Sequence, residues 1–358
     1  MTLLEKCNQN QNNQHIEEIK WVSGSQLYLQ DLKSRIEKSK EKIDKVDPKI
    51  WHYYRKNLND YDFCSRMHGV NRAFFKLWEM LHNFPTLISA STSRSLQLAE
   101  CPGSFVQVIH KLLPSCKMVA VSKPLSLYSE VLVNSKTIPK FSPLVTKIDQ
   151  CQFIYLNLLN MTLLSKFVSV HNDFDFITCD GGIDEGEQYN KKEELHLDLI
   201  LAEIITILMT LKVSGNCLIK VFDIFSETMV HILWLLAKHF ETFTFYKPET
   251  SRPTNSEKYF ICFGFKGNIF HSKESLFSLF DNTLDVNLKT NQIVPSEFYD
   301  QTLNFTNTFG NIQIQNIDHV LNSIQSKVLD NEYFMNNLIR NKKQVFRNWV
   351  HQYRLPKR

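Results

Sequence analysis

Two ionisable side chains stand where predicted β-strands end. Asp180 follows the apolar run 174–179 and precedes a Gly-Gly pair, which places its carboxylate at the carboxyl edge of a sheet. Lys220 lies within the apolar run 216–222, where an amine is costly without an anionic partner or a lowered pKa. Because open α/β sheets bind ligands along that edge, the two side chains are predicted to meet in a site. An isolated Asp-Gly-Gly sequence also suits a simple turn cap.

Two further segments add polar chemistry to the same part of the chain. Segment 101–104, Cys-Pro-Gly-Ser, follows a predicted strand, and its Pro-Gly turn lets backbone N–H groups approach a ligand at a helix N-terminus. It matches neither the Walker A motif nor the dinucleotide-binding glycine fingerprint. Loop 247–257 is rich in Ser, Thr, Asn and Pro and contains Arg252 and Glu257, a composition that suits polar recognition at a strand end.

Composition bounds the class of protein. A chain of 358 residues, 43% of them hydrophobic, can form one large domain with flanking elements, or two domains. Its 41 basic and 37 acidic residues give a net charge of +4, too mild to indicate nucleic-acid binding alone. The eight cysteines form no Cys-x-x-Cys pair and are interpreted as reduced thiols of an intracellular protein. The longest apolar stretch, 199–211, is too short to cross a bilayer, which predicts a soluble protein.

Short apolar runs alternate with amphipathic segments through the centre of the chain. Strands are predicted over 95–100, 118–122, 153–158, 174–179, 216–222, 242–246 and 258–265. Helices are predicted between them over 105–113, 162–170, 192–213 and 227–240. This alternation predicts a mostly parallel sheet covered by helices on both faces. The last strand follows without an intervening helix, which predicts an antiparallel hairpin at the sheet's edge.

Both ends of the chain are predicted to be helical. Further helices are expected over 25–46, ended by Pro48, and over 66–82, 318–329 and 333–353. The last twenty residues, 339–358, contain seven Lys or Arg, three aromatic residues and no acid. This mixture suits a tail that contacts phosphates and stacks on bases, and equally a packed helix with a basic exposed face.

Five motifs in this order resemble those of the FtsJ-like (RrmJ-type) ribose 2′-O-methyltransferases, most closely the cap-specific mRNA enzymes and their relatives in large DNA viruses. The motifs are NRAFFK at 71–76, LAECPGSF at 98–105, FDFITCDGG at 174–182, GNCLIKVFDIF at 215–225 and KPETSRPTNSEKYF at 247–260. The resemblance implies a Rossmann-like methyltransferase fold: a mostly parallel seven-stranded sheet with an antiparallel last strand and helices on both faces. It implies an N-terminal helical extension (1–60), a methyltransferase domain (61–270) and a basic-tailed helical C-terminal extension (271–358).

The resemblance also implies an activity, S-adenosylmethionine-dependent methylation of an RNA ribose 2′-oxygen, and four catalytic residues: Lys76, Asp180, Lys220 and Glu257. Lys220, its pKa depressed by Lys76, would remove the hydroxyl proton, while Asp180 and Glu257 orient the two amines. The methyl group would then pass in line, and no metal is required.

Other residues are assigned to ligands by the same resemblance. The cofactor turn would comprise Glu100, Cys101, Pro102, Gly103, Ser104 and Phe105, with Asp180 beside it. Arg252, Asn255 and Ser256 would either hold RNA or order their loop.

Two departures from the family pattern concern the cofactor. Ser104 replaces the second glycine of the usual Pro-Gly-Gly-Phe motif, and the second strand ends without the acidic residue that holds a cofactor's ribose hydroxyls. Glu100 is the candidate for that role, and Asn157 and Asn160 are the candidates for the adenine side.

Three functions remain open. The first is methylation of the cap-proximal nucleotide of mRNA, favoured by the SRPTNSE motif and the flanking extensions. The second is methylation of rRNA or tRNA, and the third is a catalytically silent RNA-binding subunit of a capping complex. Expected partners are capped mRNA and other capping or transcription proteins, in the host cytoplasm or a virion if the chain is viral, or in the nucleus if it is cellular.

Overall fold

Seven strands form one sheet at the centre of the chain. A computed structural model describes residues 23–62, 69–123, 140–183, 192–267, 272–280 and 293–356. The strands are β1 (Arg94–Leu98), β2 (Lys117–Ser122), β3 (Cys151–Tyr155), β4 (Phe174–Cys179), β5 (Leu211–Val221), β6 (Phe240–Tyr246) and β7 (Lys258–Phe265). Their order is β3-β2-β1-β4-β5-β7-β6, with β1 to β5 parallel and β7 antiparallel to both of its neighbours. The predicted Rossmann-like sheet with an antiparallel last strand is confirmed.

Helices cover both faces of this sheet. They are α1 (Ser23–Asp44), α2 (Pro48–Asn57), α3 (Ala73–Asn83), α4 (Ser104–Leu112), α5 (Met161–Val170), α6 (Lys192–Thr210), α7 (Glu227–Ala237), α8 (Lys273–Ser278), α9 (Ser296–Gln325) and α10 (Glu332–Gln352). Within the described ranges, none of these helices is both long and apolar enough to span a bilayer.

Strand β5 shows how the two faces divide the core. Cys217, Ile219 and Val221 pack into the core formed with α5, α6 and α7. Leu218 packs into the opposite core, formed with α3, α4 and α10. Because side chains alternate along a strand, Lys220 shares the face of Leu218 and points toward the side that carries α3.

The prediction that Pro48 ends the first helix was incomplete. Helix α1 does end before it, but Pro48 also begins α2, at a position where its missing N–H costs nothing. The Asp47 carboxylate accepts hydrogen bonds from the backbone N–H groups of Lys49 and Ile50, at 2.7 and 3.3 Å, and caps this helix.

Helix α9 is 30 residues long, whereas the sequence predicted only 318–329 as helical. Its Asn, Thr and Gly residues have weak helix propensity, so local sequence does not reveal it. Packing against α1 supplies the missing stability. Because Gly310 has no side chain, Leu32 and Ile36 of α1 pack close to its backbone, where a Cβ atom would lie only 3.0–3.2 Å from them. The two terminal helical regions therefore pack on each other, and the domain boundaries near residues 60 and 270 stay predictions.

The basic C-terminal segment is a packed helix. Phe346, Trp349 and Tyr353 are buried in the core beside α3, so these rings are not available for stacking on bases. Arg340 and Arg347 lie on the exposed face of the same helix. Contact between this basic face and phosphates stays a prediction.

Trp349→Ala tests whether α10 is part of the folded core. Trp349 is 2% exposed and its ring packs against Phe75, Phe346 and Tyr353. The variant is expected to lose about 3–5 kcal/mol of unfolding free energy, measured by denaturant titration, because it leaves a large cavity.

The matched control is Tyr333→Ala on the same helix, where the side chain is 78% exposed. Its expected loss is below about 0.5 kcal/mol. Equal effects of the two substitutions would contradict the packing of α10.

Candidate active site

The sheet topology brings the four predicted catalytic residues to one edge. Cys179 and Ile219 are paired across β4 and β5, so Asp180 and Lys220, the next residues of these parallel strands, emerge side by side. Glu257 directly precedes β7, and Lys76 comes from the first turns of α3.

The four side chains form two lysine–carboxylate pairs. Lys76 Nζ lies 2.7 Å from Glu257 Oε1, and Lys220 Nζ lies 3.2 Å from Asp180 Oδ1. Lys220 Nζ also donates to the backbone carbonyl oxygen of Asp180 at 2.8 Å. The side chains are only 10–16% exposed, so each charge is largely removed from water and depends on its partner.

Two hydroxyl groups fix the carboxylates of these pairs. Tyr259 faces Lys220 across the antiparallel β5–β7 ladder, and its phenol donates to Asp180 Oδ1 at 2.8 Å. The Ser251 hydroxyl donates to Glu257 Oε1 at 2.8 Å. In each carboxylate, one oxygen therefore accepts bonds from both an amine and a hydroxyl, which limits the rotation of the carboxylate group.

The pKa of Lys220 is raised, and the predicted depression by Lys76 is wrong for this structure. Burial alone would lower the pKa of the amine, but the charges of Asp180 and Glu257 raise it above its ordinary value. Lys76 does not reverse this direction because its charge is paired with Glu257. Burial would raise the pKa of Glu257, yet Lys76 and Lys220 hold it well below its usual range.

Lys247 orders the loop that carries Glu257. Its amine donates to the backbone oxygens of Asn255 and Glu257, at 2.9 and 2.8 Å, and to Asn255 Oδ1 at 3.0 Å. Burial lowers the pKa of Lys247 to about 7, with Lys258 and Lys76 adding to that shift and Glu257 opposing it. The loop is thus tied down from within.

Glu79 anchors the start of the same loop to α3. Its carboxylate accepts hydrogen bonds from the Tyr246 hydroxyl at 2.6 Å, from the Glu249 backbone N–H at 2.7 Å and from the Thr250 hydroxyl at 2.9 Å. Glu79 is fully buried, and burial raises its pKa despite these bonds. Helix α3 therefore carries both the catalytic candidate Lys76 and the anchor of the opposing loop.

The predicted cofactor turn lies where β1 gives way to α4. The strand ends at Leu98 rather than at Glu100 because Ala99 adopts a left-handed backbone, with φ of 53°. Gly103 has φ of 108°, and a Cβ atom there would lie 2.4 Å from Val145 Cγ2. Only glycine fits this position, because its backbone is left-handed and packs directly against Val145.

The side chains of Glu100 and Ser104 form hydrogen bonds at the start of α4. Glu100 Oε1 accepts hydrogen bonds from the Phe105 and Val106 backbone N–H groups, at 2.7 and 3.1 Å, and burial raises the pKa of this carboxyl to about 8. The Ser104 hydroxyl donates to Asn71 Oδ1 at 2.7 Å, so serine fits where the family motif has glycine. A contact between Glu100 and cofactor ribose hydroxyls stays a prediction.

The three predicted substrate residues differ in their surroundings. Asn255 uses its side-chain oxygen to order the loop through Lys247, and Ser256 is buried. The Arg252 side chain is half-buried and has no hydrogen-bond or ion-pair partner in the described part of the chain. Contact of any of the three with RNA stays a prediction.

Asn157 and Asn160, the adenine-side candidates, use their side-chain oxygens locally. Asn157 Oδ1 accepts from the Leu159 backbone N–H at 3.2 Å, and Asn160 Oδ1 accepts from the Leu163 N–H at 3.0 Å to cap α5. Contact of either residue with a cofactor stays a prediction.

Sequence reasoning missed Tyr259, Lys247 and Glu79. Tyr259 lies in the last strand and Lys247 opens the recognised loop motif, so both had a signal. Glu79 lies three residues after Lys76, on the buried side of α3, where a lone carboxylate within an apolar stripe was the available sign.

Comparison with known proteins identifies the family. Residues 69–265 match the model of the FtsJ-like methyltransferases. A cap-specific mRNA (nucleoside-2′-O-)-methyltransferase of Autographa californica nuclear polyhedrosis virus is 34% identical over 47% of this chain and 63% of the viral protein. The cap-specific mRNA (nucleoside-2′-O-)-methyltransferase 2 of Drosophila melanogaster is 28% identical over 66% of this chain and 37% of the fly protein. The chain thus spans less than two thirds of the length of these relatives.

The fold is also similar to a solved structure of a Plasmodium falciparum protein described as a ribosomal RNA methyltransferase. The similarity covers 55% of this chain and 98% of the Plasmodium chain. Its TM-score is 0.42 at 18% sequence identity.

Tyr259→Phe is expected to weaken the site while keeping its shape. Loss of the phenol hydroxyl removes one bond to a charged carboxylate and is expected to cost about 1.5–3 kcal/mol of unfolding free energy. A catalytic rate should fall by about tenfold if Asp180 then holds Lys220 less rigidly.

The control is Tyr333→Phe, which removes an exposed hydroxyl and should change neither quantity. Thermal or denaturant unfolding and single-turnover methyl transfer measure the two effects. A variant indistinguishable from wild type in both would show that the Tyr259–Asp180 bond is dispensable.

Proposed function

The chain belongs to the FtsJ-like methyltransferase family, and we propose that it transfers a methyl group from S-adenosylmethionine to the ribose 2′-oxygen of the cap-proximal nucleotide of mRNA. The observation that carries this proposal is the pair of lysine–carboxylate contacts at one sheet edge, on the motif positions that the family resemblance assigns to catalysis. Relatives named as cap-specific mRNA 2′-O-methyltransferases in a baculovirus and an insect support capped mRNA as the substrate.

Lys220 is the proposed base. A ribose 2′-hydroxyl is a weak acid and a poor nucleophile until its proton can leave. The amine of Lys220 accepts that proton when neutral, and Asp180 together with Tyr259 holds the amine in place. Lys76, positioned by Glu257, supplies a fixed positive charge for the negative charge that develops on the oxygen.

The cofactor fits the turn between β1 and α4. S-adenosylmethionine, when bound, supplies a methyl group already activated by its sulfonium. Gly103 permits the left-handed turn there, while the Gln97 amide and the Thr178 hydroxyl, both fully buried at the ends of neighbouring strands, have no hydrogen-bond partner in the described ranges. Residues 100–105 and Asp180 are the proposed cofactor contacts. In-line transfer belongs to the same proposal, since Lys247 and Glu79 hold the loop that would fix the ribose.

Methyl transfer to a panel of RNAs tests the proposal. Labelled S-adenosylmethionine is supplied with a capped RNA, the same RNA uncapped, and the capped RNA with a 2′-O-methyl group already on its first nucleotide. Label is expected on the first substrate alone, because only it presents both the cap and a free 2′-oxygen on its first nucleotide. Equal labelling of uncapped RNA would contradict cap specificity and favour rRNA or tRNA substrates.

Lys220→Ala is the catalytic control for this panel. Transfer should be abolished while S-adenosylmethionine binding, measured by calorimetry, is retained. The matched variant is Lys212→Ala, which removes an exposed lysine from the opposite end of the same strand and should leave transfer unchanged. Normal turnover by Lys220→Ala would overturn the base assignment. Cofactor binding by the wild-type protein without transfer to any RNA would favour the silent-subunit function.

The raised pKa of Lys220 predicts a pH-dependent rate. A lysine base acts only when deprotonated, and the carboxylates around Lys220 keep the neutral form scarce near pH 7. The single-turnover rate should therefore rise by about tenfold per pH unit between about pH 7.5 and about pH 9.5. This window lies above the Lys247 pKa of about 7, which separates the two titrations. A flat profile in single-turnover experiments would contradict proton removal by Lys220.

A further inference from the structure

Three arginines lie in or next to loop 247–257, which carries Glu257: Arg55, Arg72 and Arg252, named here the arginine cluster. Arg72 joins two segments: its Nη1 donates to Asp62 Oδ1 and its Nη2 to the Thr250 carbonyl oxygen, both at 2.7 Å. The turn after α2 is thereby fixed against the loop that carries Glu257.

Arg252 brings a second guanidinium to this place. It lies two residues beyond Thr250, is half-buried, and donates no side-chain hydrogen bond to any residue that the structure describes. A guanidinium carries five N–H donors in a planar fork, so a half-buried one without a carboxylate leaves much of its binding capacity to a ligand.

Arg55 adds the third charge from the last turn of α2. Burial lowers the pKa of its guanidinium, and the nearby charges of Arg252 and Arg72 lower it further, with Asp62 opposing. The His52 ring nitrogen, at 3.4 Å, is a neutral partner when it accepts the bond. Among the charges that act on Arg55, two guanidinium groups thus outweigh one carboxylate, a balance that favours binding of an anion.

The surroundings of the cluster carry charges of both signs. The Lys342 amine donates to the Lys56 backbone oxygen at 3.2 Å. Among the charges that act on Lys342, those of Asp60 and Asp62 are negative and those of Arg72 and Lys56 are positive. Glu249, the other nearby acid, accepts a bond from the Tyr61 hydroxyl at 2.7 Å.

The cluster borders the proposed catalytic residues on both sides. Arg72 precedes α3 and lies four residues, about one helical turn, before Lys76. Arg252 follows Ser251, whose hydroxyl binds Glu257. A ligand held by the cluster would therefore lie next to the two lysine–carboxylate pairs.

We propose that the arginine cluster binds phosphate groups of the RNA next to the acceptor ribose, an inference that rests on the function proposed above. Planar guanidinium forks match the geometry of phosphate oxygens, and phosphate contacts fix the register of a nucleic acid on a protein. The N-terminal helix α2 thereby becomes part of the substrate surface. The phosphates belong either to the cap's triphosphate bridge or to the RNA chain.

Salt-dependent RNA binding tests this role without requiring methyl transfer. Fluorescence anisotropy would measure the Kd of a labelled RNA, capped or with a 5′ hydroxyl, at several salt concentrations. Arg55→Gln and Arg252→Gln should each lower the slope of log K against log salt by about 0.7 and weaken binding by about fivefold at ~0.1 M salt, the effect of one phosphate contact. Arg55→Lys should restore the slope, because the charge is retained.

The control is Lys117→Gln, which removes an exposed cation at the amino end of β2, the opposite edge of the sheet. Unfolding midpoints identify folded variants, and Arg252→Gln carries the test if Arg55→Gln does not fold. Loss of affinity for both RNAs assigns the cluster to the chain phosphates, whereas loss for capped RNA alone assigns it to the triphosphate bridge; both support the proposal.

Wild-type affinity and slope in the folded arginine variants would overturn it, as would an equal loss in Lys117→Gln. A wild-type protein that shows the predicted arginine-dependent binding but transfers no methyl group would contradict the proposed function and leave the phosphate-binding role standing.

Discussion

Charge compensation between two lysines and two carboxylates in a largely buried pocket is the constraint on which the rest of this structure depends. An amine removed from water either faces an anion or has a lowered pKa, and removing one partner of an ion pair leaves an uncompensated charge. Lys220 therefore requires Asp180 at the end of the neighbouring parallel strand. Lys76 likewise requires Glu257, which directly precedes the antiparallel strand β7. The last strand's direction is thus part of the site, because it brings Tyr259 and Glu257 back to the edge where β4 and β5 end.

The surrounding polar network transmits this constraint to distant parts of the chain. Glu79 holds the loop of Glu257 against α3, and the Trp349 indole lies 3.5 Å from the same carboxylate. The Trp78 indole donates to the Tyr353 backbone oxygen at 2.9 Å, which ties the C-terminal helix to the helix that carries Lys76. A C-terminal segment that looks like a tail in the sequence therefore supports the position of a proposed catalytic lysine.

The sheet and the meeting of Asp180 with Lys220 could be predicted because their signals are local: apolar runs, glycine turns and ionisable residues at strand ends. Helix α9 could not, since its Asn-rich sequence has weak helix propensity and depends on the groove between Gly310 and α1. The direction of the Lys220 pKa was also beyond sequence reasoning. It follows from the distances to Asp180 and Glu257 and from the pairing of Lys76, which only the folded chain defines. The same holds for the arginine cluster, whose members are far apart in sequence.

The position of the transferred methyl group tests the central claim most directly. Capped RNA labelled by the protein would be digested to nucleosides and nuclease-resistant dinucleotides and analysed by mass spectrometry. The proposed function predicts a methyl group on the ribose 2′-oxygen of the first transcribed nucleotide, with a nuclease-resistant bond to the next one. A methyl group on a base would contradict the account, because the proposed base chemistry of Lys220 acts on a hydroxyl group.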